Sequence, residues 1–197
     1  MDNEGYLMAE DPSVDLEIAE IMADELEEYI VGDELYRTVV ARTSAGDRRL
    51  SMSGGDLLAR LGRLQGERNA LSADEQNRLD VLQEKADATI YSLKTRFNER
   101  LNREFKARLD GLRWFLDDCA ENQGKCRGEF PFEMRNRQRI EEILKAVGDD
   151  ASPALLTSLA QVDRRIRQYS SESPFIWDSR LASVYPKDPY WYLYRRP

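Results

Sequence analysis

The chain has 197 residues, of which 41% are hydrophobic and 34% charged, with a net charge of −8 and no histidine. That length suits one domain, or one domain with tails, and the apolar share can build a core, which excludes wholesale disorder. The missing histidine excludes His-dependent acid–base chemistry, the Ser-His-Asp arrangement, HExxH zinc sites and the Glu-x-x-His pairs of di-iron bundles.

The charge is unevenly placed. Residues 1–36 hold thirteen acids and no Lys or Arg, leaving 24 acids against 29 bases in the rest. The acidity is therefore an N-terminal property, and arginine supplies most of the basic charge, which suits bidentate contacts to carboxylate or phosphate. For the whole molecule, non-specific attraction to nucleic acid or anionic membrane is disfavoured. The start Met-Asp-Asn-Glu-Gly has no basic n-region or apolar h-region, and no run of eighteen apolar residues occurs. The expectation is a soluble, cytoplasmic protein with no membrane partner.

Residues 1–12 read as an acidic, mobile N-terminus. Val14, Ile18, Ile21, Met22, Leu26, Tyr29 and Ile30 recur at helical spacing, so a first helix is predicted from Ser13 to Val31. Its other face stacks Glu17, Glu20, Asp24, Glu27 and Glu28, like charges that cost roughly 0.2–0.5 kcal/mol per pair in isolation. A basic neighbour is needed.

Tyr36 to Thr43 is β-branched and is followed by Ser44-Ala-Gly-Asp47 and Arg48 to Met52, a pattern that predicts a small β-hairpin near 36–52. The alternative is that the first helix resumes to Arg42. A short helix follows from Ser53 to Leu71, carrying Leu57, Leu58, Leu61 and Leu64.

From Ser72 to Cys119 no proline occurs, and Ser72-Ala-Asp-Glu75 has the form of a capping box. One helix of roughly 70 Å is predicted, stopping at Asn122-Gln-Gly124. Its apolar positions advance by a mean near 3.7 residues, closer to an eleven-residue repeat than to a heptad, so a left-handed coiled coil is not expected. On its wheel Arg78, Lys85, Arg96, Arg100 and Arg103 share one flank. Cys119 and Cys126 lie seven apart around Gly124, a loop that could close as a disulfide, but a reducing compartment favours two free thiols.

Two more helices are predicted, one from near Pro131 to Gly148 and one opening at Ser152-Pro153 with Leu155, Leu159, Val162, Ile166 and Tyr169 as its packing stripe. Residues 13–170 thus form a helical domain, and 171–197 a tail with four prolines that excludes a long helix. The tail carries Phe175, Trp177, Tyr185, Tyr190, Trp191, Tyr192 and Tyr194, seven of the eighteen aromatics. It should strap across the helices or dock on another protein. The fold class is mainly α: an elongated bundle around one long central helix, with a hairpin and an aromatic strap.

The leading functional expectation is a non-enzymatic protein–protein interaction module, a scaffold, adaptor or subunit, needing no cofactor and with self-association as one route. The alternative is RNA, DNA or ribosome binding through the arginine flank, with the acidic first helix as a competing internal ligand. In a third reading, Glu17-x-x-Glu20 and Asp24-x-x-Glu27 resemble the acidic helices of all-α nucleotide pyrophosphohydrolases, which would imply Mg²⁺-dependent hydrolysis. Such enzymes draw their acids from more than one helix, whereas one exposed face explains this spacing. Ser53-Gly54-Gly55 could cradle a phosphate at a helix start, but Asp56 would repel it and capping accounts for the residues.

Overall fold

The structure is a computed structural model describing residues 10–197, so most of the expected mobile N-terminus lies outside the described residues. The described chain is mainly α-helical and divides into two compact units, residues 10–104 and 105–197. The division falls inside a helix, where composition gives no sign of it.

In the first unit, α1 (Pro12–Asp24) is capped by the Asp11 carboxylate, which accepts from Ser13 N at 2.9 Å, and it continues after Glu25 as α2 (Leu26–Val31). The sequence predicts one helix here. The structure interrupts it at Glu25 and buries Asp15 and Leu16 as well as Val14, Ile18 and Met22, so α1 is enclosed on more than one side. Its neighbours are β1 (Arg37–Thr43), α3 (Gly54–Gly66) and α4 (Ala73–Ser92).

β1 pairs antiparallel with β2 (Gly46–Met52), with Thr43 opposite Gly46, so the hairpin is formed and the resumed helix is not. Gly46 takes φ 103°, a conformation that favours glycine in this tight turn. Val39, Ala41 and Met52 turn inward while Thr38, Val40, Arg42, Arg49 and Ser51 face out. α3 is capped by the Ser53 hydroxyl, and a Cβ on Gly54 would meet Leu101 Cδ2 at 2.8 Å, so close helix approach is the role of that glycine.

The capping box at Ser72 and Glu75 is complete, but the predicted single long helix is two, α4 and α5 (Lys94–Glu121). Leu93 leaves helical geometry at φ −119°, ψ 24°. The physical reason lies in Thr89-Ile90-Tyr91-Ser92, a run of modest helix formers. Thr89 Oγ1 donates to Lys85 O and Ser92 Oγ to Thr89 O, back-bonding that bends a helix, while Leu93 N still reaches the shared Thr89 O at 3.2 Å.

In the second unit α5 continues from Phe105 and is followed, after Asn122 alone, by α6 (Gln123–Val147). The predicted start near Pro131 is therefore eight residues late, and Pro131 sits inside the helix. Two restraints nucleate the helix upstream: the Asn122 side chain accepts from Lys125 N at 3.0 Å, and Cys126 is bonded to Cys119 at the end of α5. The cysteines are thus a disulfide and not free thiols. The free-thiol expectation rested on a reducing compartment, and with the bridge that support for a cytoplasmic location is gone. Among the described residues no helix is long and apolar enough to cross a membrane.

α6 stops at Gly148, as predicted, and α7 (Pro153–Tyr169) buries Leu159, Val162 and Ile166. The C-terminal segment then doubles back: β3 (Ser171–Glu172) pairs with β4 (Arg195–Arg196), and short 3₁₀ turns occupy Ser179–Leu181 and Trp191–Tyr194. Arg195 donates to Ser170 O and to Arg167 O, closing the carbonyl end of α7.

Closing so short a loop stabilises by roughly 2–3 kcal/mol. Replacing both Cys119 and Cys126 by Ser is expected to lower the unfolding free energy by that amount in a urea titration. Thiol titration of the unfolded, unreduced chain should find no free thiol; finding two would restore the sequence-based reading.

Candidate functional site

The acidic face of α1 and α2 meets bases from every side. Glu20 accepts both guanidinium bonds of Arg78 (2.9 and 2.6 Å), and Asp24 pairs with Lys85. Arg37 reaches Glu25 at 2.8 Å and Glu28 as well, while Ser44 donates from its amide and hydroxyl to Glu17 at 2.7 and 3.2 Å. Glu27 is exposed. These are partly solvated pairs, each worth roughly 0–1 kcal/mol.

The rest of the arginine flank acts differently. Arg100 is buried, lies over the Tyr29 ring at 5.0 Å, and donates to Ile30 O at 3.0 Å and to Glu34 O. Arg103 reaches Asp33 O at 3.4 Å, and Arg96 is exposed. So the structure brings Arg78 and Lys85 to the acids of α1, and Arg100 and Arg103 to the carbonyl end of α2.

Two acids that sequence reasoning missed carry more weight. Asp15 is 0% exposed and is held by both nitrogens of the Arg63 fork at 2.7 Å and by Arg60. Glu104, also fully buried, sits at 2.7 Å from the Ser53 hydroxyl and accepts from Gly55 N at 2.9 Å. The phosphate-like site at the start of α3 is therefore filled by this chain's own carboxylate. Both acids had a legible signal: Asp15 lies between Val14 and Leu16, and Glu104 is seven residues from Phe97, on the same inward face. Beside this carboxylate, burial first and the Glu104 charge second push the Tyr29 phenol up to about 12.

All seven aromatics proposed for docking belong to one contiguous ring array. Phe175 touches Trp177 and Tyr194, and contacts run from Trp177 through Tyr185, Tyr190 and Tyr192 to Trp191, with centroids 5.0–6.3 Å apart. Tyr185, Tyr190 and Tyr192 are buried and the other four half-buried, so the segment is a strap on its own unit. Trp177 Nε1 donates to Pro131 O at 2.8 Å, and Tyr190 donates to Glu142 at 2.6 Å and accepts from Lys145. Burial, then the Glu142 hydrogen bond, raises the Tyr190 phenol, which stays neutral. The Arg137 guanidinium lies 4.7 Å over the Tyr192 ring. Burial pulls the Arg137 pKa down, but its hydrogen bond with Asp163 and the charges of Asp163 and Glu141 together more than offset this and hold the pKa above its ordinary value. The Tyr192 hydroxyl is buried without a hydrogen-bond partner among the described residues.

The best-formed cleft, lined by Glu28, Tyr29, Gly32, Asp33, Glu34 and Arg37, measures about 180 Å³, below the roughly 300–1,000 Å³ of ordinary ligand pockets. Among the described residues no three His, Cys, Asp or Glu side chains are grouped to hold a metal ion. What stands out instead is large apolar surface in water: Tyr91 is 84% exposed, Trp114 75% and Val81 66%. A wheel would have found them, since Val81 and Tyr91 lie away from Leu79, Leu82 and Ala86, and Trp114 lies on the side of its helix opposite the buried Leu112 and Leu116. Set against known family models, curated proteins and solved structures, the chain matches none.

Two measurements check these assignments. Asp15→Ala strands Arg60 and Arg63 without their carboxylate and is expected to cost 3–5 kcal/mol, against less than about 1 kcal/mol for Glu20→Ala. Equal losses in urea unfolding would sink the distinction. The second concerns Glu75, whose carboxylate is lowered from the usual 4.5 to about 2 by the Ser13 hydroxyl first and then by the Ser72 hydroxyl and amide. Its contribution is therefore complete above about pH 4.5 and lost as pH falls towards 2. The melting-temperature gap between wild type and Glu75→Gln is expected to close across that window; a constant gap would refute the carboxylate's role.

Proposed function

We propose that this chain is a non-enzymatic protein–protein interaction module, a scaffold, adaptor or complex subunit. The supporting observation is the exposure of Tyr91 and Trp114, two large aromatics of the kind that anchor interfaces, in a protein that packs the seven aromatics of its C-terminal segment. Folding gains nothing from leaving such side chains in water, so their presence on the outer faces of α4 and α5 is better explained by a partner. Val81 adds to the first of these surfaces.

The reading makes a separable prediction. Tyr91→Ala and Trp114→Ala remove exposed side chains, so each is expected to melt within about 0.5 kcal/mol of wild type. Each should nevertheless deplete proteins cross-linked to the intact chain in cell extract. Capture profiles identical to wild type for both variants would overturn the proposal.

Nucleic-acid binding is the second reading, favoured by one arrangement: Glu20–Arg78 and Asp24–Lys85 are solvated pairs that a polyanion could displace. Removing α1 would strip the core of Leu16, Ile18 and Met22, so the test is Glu20→Gln with Asp24→Asn. The interaction reading expects neither form to bind single-stranded RNA at low salt. Binding that appears only in the double variant and falls steeply with salt would replace it with an autoinhibited nucleic-acid binder.

A further inference from the structure

α4 buries only Leu79, Leu82 and Ala86 of its twenty residues, and from Asp87 to Arg96 no residue is buried. The outward stripe over this stretch reads Val81, Glu84, Asp87, Ala88, Tyr91 and Lys94, all exposed. Here the charge pairing found elsewhere on the helix stops. Asp80 is engaged by Arg68 and Lys85 by Asp24, but Glu84 and Lys94 have no ion pair among the described residues, and the Tyr91 ring has no aromatic or cation contact there.

The order of these residues is self-complementary. An unpaired acid lies on the N-terminal side and an unpaired base ten residues on, about 15 Å along the axis, because Leu93 N still bonds Thr89 O and Phe97 N still bonds Leu93 O across the break. Their midpoint falls beside Ala88, the one small side chain of the stripe. We propose that two copies of this chain associate through this face, antiparallel about a two-fold axis near Ala88. This proposal rests on the interaction-module reading and gives it a partner, a second copy.

In that arrangement Lys94 of each copy meets Glu84 of the other, so one contact is made twice, as a two-fold interface requires. Tyr91 of each copy lies over Ala88 of the other, where the absence of a larger side chain admits close helix approach. Parallel pairing would set Glu84 against Glu84 and Lys94 against Lys94, which like-charge repulsion disfavours. The stripe from Val81 to Thr95 is about 20 Å long. Two such strips bury on the order of 1,000 Å² in total, the low end of specific interfaces, so a micromolar dimer is expected.

Sedimentation equilibrium of the full chain from 1 to 200 µM tests this. Wild type is expected to pass from monomer to dimer over that range. Glu84→Lys alone, Lys94→Glu alone and Tyr91→Ala should each weaken association at least tenfold, while Glu84→Lys combined with Lys94→Glu restores it, because the swapped pair still meets across the axis. All of these side chains are exposed, and matching thermal melts confirm that folding is not the variable. A wild type that stays monomeric to 200 µM, a dimer indifferent to both reversals, or a double variant no better than the singles overturns the proposal. A monomeric chain whose Tyr91→Ala variant still loses captured proteins would sink self-association alone. Unchanged capture by both aromatic variants would sink the interaction reading itself.

Discussion

An acidic helix with no base of its own can be enclosed only if its neighbours bring the bases, and that requirement governs the first unit. α1 and α2 carry no Lys or Arg, yet α1 is packed between a hairpin, α3 and α4. Each neighbour supplies a cation at a set position: Arg60 and Arg63 from α3, Arg78 and Lys85 from α4, Arg37 from β1. Glu20 to Asp24 advances in the same chain direction as Arg78 to Lys85, so reversing α1 would separate both pairs. The apolar contacts drive burial, but they are non-directional. It is the placement of the acids that selects one register for α1 among its neighbours.

The pairs are not equal in weight. Glu20–Arg78 and Asp24–Lys85 are solvated and screened, and their effect is mainly to disfavour wrong registers. Asp15 and Glu104 are fully buried, where an unpaired carboxylate would be several kcal/mol unfavourable. The start of α5 handles this economically: Arg100 and Glu104 are one turn apart, and they serve opposite helix poles. The guanidinium sits at the carbonyl end of α2 and the carboxylate at the amide end of α3, each where the local partial charge favours it. An anion site at Ser53-Gly54-Gly55 is thereby converted into an internal joint. The same residues that suggest phosphate binding in the sequence carry a structural contact in the fold.

Features with local causes were readable without coordinates. The capping box at Ser72, the cap at Ser53, the stop at Gly148 and the hairpin turn at Gly46 all follow from interactions within a few residues. The features that were misread have causes that apolar spacing does not register. Leu93 looks helical because its apolar spacing is right, and the break comes from hydroxyl back-bonding in Thr89 to Ser92. Pro131 looks like a first-turn residue, and the helix passes through it because a disulfide and an asparagine cap hold the preceding turns. The aromatic tail was legible as a strap but not as a single ring array, since Phe175 meets Tyr194 only once β3 and β4 pair. The helical wheel likewise set Phe97 and Leu101 inward and Arg100 on the basic flank, but it passed over Glu104, because hydrophobic periodicity cannot tell a buried ion from an exposed one.

Internal neutralisation is partial: Arg78, Lys85, Arg100 and Arg103 are engaged inside the first unit, but Arg78, Lys85 and Arg103 keep exposed surface and Arg96 is exposed. Of the large apolar side chains that folding left in water, Tyr91 and Trp114 are the most exposed. Tyr91 lies two residues before the break at Leu93, so the path of the α4 and α5 outer face at that point is set by the break. The i→i−4 bonds from Leu93 N to Thr89 O and from Phe97 N to Leu93 O keep α5 following α4 across the break, so Glu84, Tyr91 and Lys94 stay within one exposed stretch.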